Sequence, residues 1–340
     1  MRQLIKYAYT NAKVRAMLSF LIEPETLSRL AETKDVTELR EALKKTPYKE
    51  AMDRLENSLD LGAVELELFR FDLRVYEKLH GVLTTRTEKA FLSLLKQRYE
   101  LEEVKLALRA WHSKAPIDLD AHLLGEKVSS DIDFKRIVSC QNIEEIVLLL
   151  DDTPYMKPLA KARQKFKEKG SLFYLEVSLD IDYYERLFEC IEGFSSADRK
   201  IARKLIGIEV DIENINWLIR LRKYYSLGMG EILDWVIPGG DRIDKDRVRS
   251  FYVSNGLGKI VDGLAIGPYA GIRDLISQDA CLLEKFLYEI LLHEVRRALA
   301  GFPFTIGTVI GYLVLKRRET KTLISLFYAK GLGLKKEEIC

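Results

Sequence analysis

At 340 residues, 47% hydrophobic and 31% charged, the chain is long enough for two or three ordinary domains and lies well outside the disordered class. A formal charge of +2 lacks the basic excess of a nucleic-acid binder, so no nucleic-acid partner is expected. Cys140, Cys190, Cys281 and Cys340 stand far apart with no C-x-x-C pair, which favours reduced thiols in an intracellular protein over a disulfide framework.

In chain order, the opening "MRQLIKYAYTNAKVRAM" has no apolar core of the secretory kind and predicts no signal peptide. The first clear helix stripe is Val36, Leu39 and Leu43, followed by "TPY" at Thr46–Tyr48. The same pattern returns as Ile143, Ile146 and Leu150 before Thr153-Pro154-Tyr155, and as Leu257, Ile260 and Leu264 before Gly267-Pro268-Tyr269. All nine upstream positions are aliphatic at helical spacing, so each stretch predicts a helix that buries one stripe. Thr46, Thr153 and Gly267 then read as N-caps, with proline at the first position of a following helix. Each is a helix–turn–helix corner, a structural device rather than a chemical one.

The likeness continues downstream. "FDLRVYEKL" (Phe71–Leu79) and "LDIDYYERL" (Leu179–Leu187) share Asp, Tyr-Glu and a basic residue, with "QDACLLEKF" (Gln278–Phe286) a weaker third copy. "LEEVKLALRAW" (Leu101–Trp111) resembles "IENINWLIRLR" (Ile212–Arg222), and "RETKTLISLFYAKG" (Arg318–Gly331) is a looser counterpart. A period of roughly 110 residues is far longer than solenoid units of about 20–50, so each repeat reads as a small domain. Breaks near Ala115–Pro116 and Leu227–Gly230 divide the chain into residues 1–115, 116–227 and 228–340. Strand alternation is scarce, and "WVIPGGDRI" (Trp235–Ile243) reads as a turn; the expected fold is all-α. The apolar run Phe302–Leu315 is too short for a spanning helix of about 20 residues and carries Thr and Gly, so it reads as buried core.

No stretch carries a catalytic or cofactor motif. His293-Glu294 opens like a zinc-protease helix, but position 297 is Arg where the second His belongs. Before Gly258-Lys259 a phosphate loop would want Gly at Val253 and a hydroxyl at Ile260, so nucleotide binding is not expected. Asp151 and Asp152 would suit the magnesium-diphosphate motif of an isoprenoid synthase, yet Tyr155 occupies the place of a further Asp and the first repeat has Lys44 and Lys45 there. No catalytic residue, cofactor, metal or small-molecule substrate is expected. An all-α adaptor remains a non-enzymatic alternative.

Taken in order, "YAYTNAKVRAM" (Tyr7–Met17), "VDIENINWLIRLRKYY" (Val210–Tyr225), "IPGG" (Ile237–Gly240) and "KGLGLKKEEI" (Lys330–Ile339) resemble the family of C subunits of the V/A-type ATP synthases, equivalent to the d subunits of vacuolar ATPases. The resemblance covers nearly the whole chain. It departs at Lys13, where Arg is expected, and at Thr322 and Ile324, where Asn and Arg are expected. It implies three helical domains around a pseudo-threefold axis as a funnel, without activity of its own. Such a protein is peripheral on the cytoplasmic side of the membrane, between the central shaft and the proteolipid ring of the V-type ATPase or A-type ATP synthase. Arg109, Arg220 and Lys330, near the ends of the closing helices, are candidate partner-contact residues forming a basic collar; cations in a last turn also meet the helix dipole favourably.

Overall fold

The structure, a computed structural model, describes residues 2–55, 60–114, 123–124, 132–224, 229–252, 257–275 and 280–334. The expected breaks at Ala115–Pro116 and at Leu227 fall outside these residues. Among the described residues all regular elements are helices. The first set is α1 (Arg2–Leu18), α2 (Pro24–Ala31), α3 (Val36–Leu43), α4 (Lys49–Arg54), α5 (Leu61–Val82) and α6 (Arg86–Ser113). After these come α7 (Phe134–Ser139), α8 (Ile143–Leu149), α9 (Met156–Lys169), α10 (Phe173–Glu192) and α11 (Ser196–Tyr224). The last set is α12 (Met229–Asp234), α13 (Lys245–Tyr252), α14 (Leu257–Leu264), α15 (Ile272–Leu275), α16 (Ala280–Ala300) and α17 (Gly307–Gly331), with a 3₁₀ turn at Gly267–Tyr269.

The stripe helices are α3, α8 and α14. Leu39, Leu43, Ile143, Ile146, Leu150, Ile260 and Leu264 are buried and Val36 is half-buried; the Leu257 side chain lies outside the described residues. Two of these helices start with the same cap. Asp35 accepts from the Glu38 N–H at 2.9 Å while Glu38 accepts from the Lys34 N–H at 2.8 Å. Asn142 accepts from the Glu145 N–H at 3.1 Å while Glu145 accepts from the Gln141 N–H at 2.8 Å. Reciprocal caps of this kind satisfy donors that a helix start leaves orphaned.

The corners differ from the expected helix starts. Helices α4 and α9 begin at Lys49 and Met156, just after the tyrosine rather than at the proline. The threonine ties the turn at both ends. Thr46 Oγ1 donates to the Leu43 carbonyl at 2.7 Å and accepts from the Tyr48 N–H at 3.2 Å. Thr153 repeats this with the Leu150 carbonyl at 2.7 Å and the Tyr155 N–H at 3.3 Å. A side chain bonding locally in this way competes with the helix and holds Thr-Pro-Tyr in a turn. At the third corner Gly267 has φ +51°, a conformation that suits glycine, and a 3₁₀ turn takes the place of the threonine.

The chain divides into two compact units. One comprises Met1–Ala107, Ala115–Lys135 and Phe302–Cys340; the other comprises Leu108–Lys114 and Arg136–Gly301. In the first, α17 packs against α1, α3 and α5, and Leu323, Leu326 and Phe327 complete a core built from Leu30, Leu39, Leu43, Tyr48, Met52 and Leu68. In the second, α11 packs against α10, α14 and α16. Of the apolar run Phe302–Leu315, Thr305 through Val314 are all buried as expected, while Phe302 at its start is exposed. No helix among the described residues is long and apolar enough to cross a membrane.

Candidate functional site

Two of the corner tyrosines deliver a hydroxyl to a buried carboxylate on a long helix. Tyr48 is fully buried, and its hydroxyl donates to Glu319 Oε1 at 2.7 Å. Lys316, one turn earlier on α17, donates to the Tyr48 oxygen at 2.6 Å and to Glu319 Oε1 at 3.0 Å. Its ammonium also lies 4.1 Å from the Tyr48 ring centroid and 4.7 Å from that of Phe71, within cation–π range. Glu319 Oε2 takes the Ile22 N–H at 2.5 Å. Thr320, beside Glu319, donates to Asp72 Oδ1 on α5 at 2.7 Å. One network thus ties α17 to α5, to the first corner and to the segment between α1 and α2.

Asp72 is buried, and burial raises its carboxyl from 3.8 to about 7. Lys316 and the Thr320 hydroxyl oppose that shift, while Glu319 adds to it. Burial likewise pushes the Tyr48 phenol up, so it stays a neutral donor. Because Asp72 holds its proton more tightly folded than unfolded, its contribution favours the fold below about pH 4 and is lost as pH rises toward 7. Asp72→Asn keeps an acceptor for Thr320 without the buried charge. It is expected to gain stability over the parent progressively between pH 4 and 8, reaching about 1–3 kcal/mol in urea titrations. A gain that does not grow with pH removes Asp72 as the cause.

In the second unit, the Tyr269 hydroxyl donates to Asp211 Oδ2 on α11 at 2.9 Å. Asp211 also accepts the Arg242 N–H at 2.9 Å and the Ile243 N–H at 2.8 Å. One turn on, Asn214 donates to the Ile237 and Ile243 carbonyls at 2.9 and 3.1 Å and accepts the Ile237 N–H at 2.9 Å. Both side chains therefore hold the "IPGG" loop as an acceptor and a donor would hold a strand. Gly239 has φ +89°, and a Cβ on Gly240 would sit 2.5 Å from Asp211 Oδ1. Only glycine lets the loop come that close. Burial raises Asp211 to about 6 despite the two N–H donors and the Tyr269 hydroxyl, which lower it. The third corner tyrosine, Tyr155, is equally buried.

Chemically these are fasteners. Each charged or polar group in them faces an internal partner and lies away from solvent. Asp151 and Asp152 are both exposed at the corner before Tyr155. Of the candidate contact residues, Arg109 is half exposed (51%) and its Nε lies 2.5 Å from Glu176 Oε1. The Arg220 side chain lies outside the described residues. Lys330 is buried, and its ammonium donates to the Ala31 carbonyl, at the C-terminus of α2, at 2.7 Å. Arg109 and Lys330 belong to different compact units, and each has a partner within its own. Nothing in the sequence around Lys316 and Glu319 singles out either as a site residue.

Comparison with known proteins gives a consistent answer. The family model for the ATP synthase (C/AC39) subunit matches residues 10–340. The chain is similar to the C subunit of the A-type ATP synthase of Methanosarcina mazei, 28% identical, with 98% of this chain and 91% of that protein aligned. It is similar to the proteins of the same name from Methanocaldococcus jannaschii, at 25% identity over 99% of this chain and 86% of the relative, and Thermococcus onnurineus, at 23% over 98% and 88%. The chain belongs to the ATP synthase (C/AC39) subunit family.

Proposed function

We propose that the protein is a central-stalk rotor component of an A-type ATP synthase, a socket that couples the rotating shaft to the membrane proteolipid ring. Members of this family are structural rather than catalytic. The observation that carries the reading is the family match along residues 10–340, which leaves no room for an added catalytic domain within the matched chain. The buried networks support it mechanically. A part that transmits torque must resist shear between helices, and a series of charge-assisted bonds fixed in a packed core has few alternative arrangements. In this reading the repeats 1–115, 116–227 and 228–340 form three similar domains around a pseudo-threefold axis as a funnel, peripheral on the cytoplasmic side of the membrane. Its partners are the shaft proteins on one face and the proteolipid ring on the other. The test is depletion of this protein from cells that make it. ATP synthase isolated from them should split into a detached catalytic part and a membrane ring, and added protein should rejoin them. An intact, coupled complex without it overturns the proposal.

Arg109, with Arg220 at the matching place in the second repeat, is proposed as a contact residue for a partner's acidic or carbonyl-rich loops. Arg109→Ala with Arg220→Ala is expected to weaken reassembly several-fold at physiological salt, and less at high salt where such contacts are already screened. The isolated protein should keep its thermal midpoint within a few degrees. Unchanged reassembly across a salt series would leave Arg109 as the partner of Glu176 alone.

A further inference from the structure

Helix α1 has a buried side and an outward side, and packing accounts only for the first. Tyr7, Thr10, Val14 and Met17 are buried. Facing away from them, Ile5 is 75% exposed, Tyr9 69% and Leu4 46%, while Phe20, just past the helix, is 64% exposed. Ala8, Ala12 and Ala16, also exposed, join these into one strip along the helix. Single exposed apolar residues are ordinary, but a contiguous strip of this kind marks a surface that something covers.

The charge pattern says what that something carries. Residues 1–22 contain Arg2, Lys6, Lys13 and Arg15 and not one of the chain's 52 acidic residues. Lys6 lies 2.5 Å from Glu88. Lys13 and Arg15 are exposed and flank the apolar strip on its two sides. An aliphatic and aromatic ridge between cations is the pattern of a helix lying in a bilayer interface, with its apolar side chains among the headgroups and its cations on anionic lipid.

We propose that the outward face of α1 rests on an anionic membrane surface, with Leu4, Ile5 and Tyr9 entering the headgroup layer and Lys13 and Arg15 meeting lipid phosphates. The proposal stands on α1 and does not depend on the central-stalk reading. Its test uses the full-length protein alone, so a failed reassembly experiment would not touch it. Vesicles of phosphatidylcholine, with and without about 30 mol% phosphatidylglycerol, serve as the probe. The protein is expected to sediment with the anionic vesicles and far less with the neutral ones. Ile5→Asn with Tyr9→Asn should lower the bound fraction about tenfold or more, since both side chains are exposed and the fold does not need them. Lys13→Glu should lower it about fivefold, and added salt should weaken the parent in the same direction. Circular dichroism and thermal melting confirm that each variant is folded. No binding to anionic vesicles, binding that the variants leave unchanged, or equal binding to neutral vesicles would each overturn the proposal. Loss of assembly in the α1 variants without any vesicle binding would also overturn it, assigning the face to a protein partner instead.

Discussion

Lys316→Met is expected to cost about 3–5 kcal/mol of stability at pH 8, the loss typical of leaving buried carboxylates without their cation. Methionine keeps most of lysine's apolar stem, so what is lost is the ammonium, with its hydrogen bonds to Tyr48 and Glu319 and its cation–π contacts. Glu319 then keeps the Tyr48 hydroxyl and the Ile22 N–H, and Asp72 keeps Thr320, but no ammonium remains within the network. Asp72, which burial already raises and Lys316 holds down, should keep its proton more tightly still in the folded variant than in the unfolded chain. Stability then falls as pH rises, so the deficit is largest at pH 8 and smallest near pH 5. Adding Glu319→Gln should recover part of the loss at pH 8 by removing one uncompensated charge. Urea unfolding of the parent, single and double variants at the two pH values checks this. A single variant as stable as the parent at pH 8 would mean the ion pair contributes nothing, which is the outcome for many exposed pairs.

Asp211→Ala should have a comparable effect, about 3–5 kcal/mol, for a different reason. The loss is of an acceptor: the Arg242 and Ile243 N–H groups and the Tyr269 hydroxyl would all point at an apolar methyl. Each buried donor left unpaired costs about 1–3 kcal/mol, with water entry recovering some of it. Tyr269→Phe removes a single donor and leaves Asp211 with both backbone partners, so about 1 kcal/mol is expected. A local reporter is at hand. The Trp235 ring packs 5.3 Å from Tyr174 and 6.3 Å from Phe173, two residues before the loop that Asn214 holds at Ile237. Its fluorescence should move toward that of exposed tryptophan in Asp211→Ala and stay put in Tyr269→Phe. If Asp211→Ala unfolds at the parent's urea midpoint, the loop is held by Asn214 and the glycines alone.

The corner motif shows how far local rules reach. The aliphatic stripes before Thr46, Thr153 and Gly267 predicted helices α3, α8 and α14, because a one-sided stripe at helical spacing depends only on neighbours along the chain. The reading of Trp235–Ile243 as a turn rested on proline and glycine chemistry and holds for the same reason. The helix starts after each Thr-Pro-Tyr were misplaced by two residues. The threonine hydroxyl bonds backward to Leu43 and Leu150, a contact that helix-capping rules place elsewhere.

The partners of the buried charges lay beyond local rules. Tyr48 and Glu319 are 271 residues apart, Thr320 and Asp72 are 248 apart, and no pattern near any of them names the other. Lys330 shows the same limit: its place near a helix end does not name the Ala31 carbonyl, 299 residues away, to which its ammonium donates. The sequence alone determined the helical class, the repeated corners, the family and the acid-free opening segment, since each is a property of composition or short-range spacing. Only the tertiary structure decided that the last helix closes the core begun by the first ones, which polar side chains meet inside it, and which face of α1 is left uncovered. Those outcomes depend on contacts between residues hundreds of positions apart, where the energy of burial is shared across the whole core and no single stretch of chain encodes it.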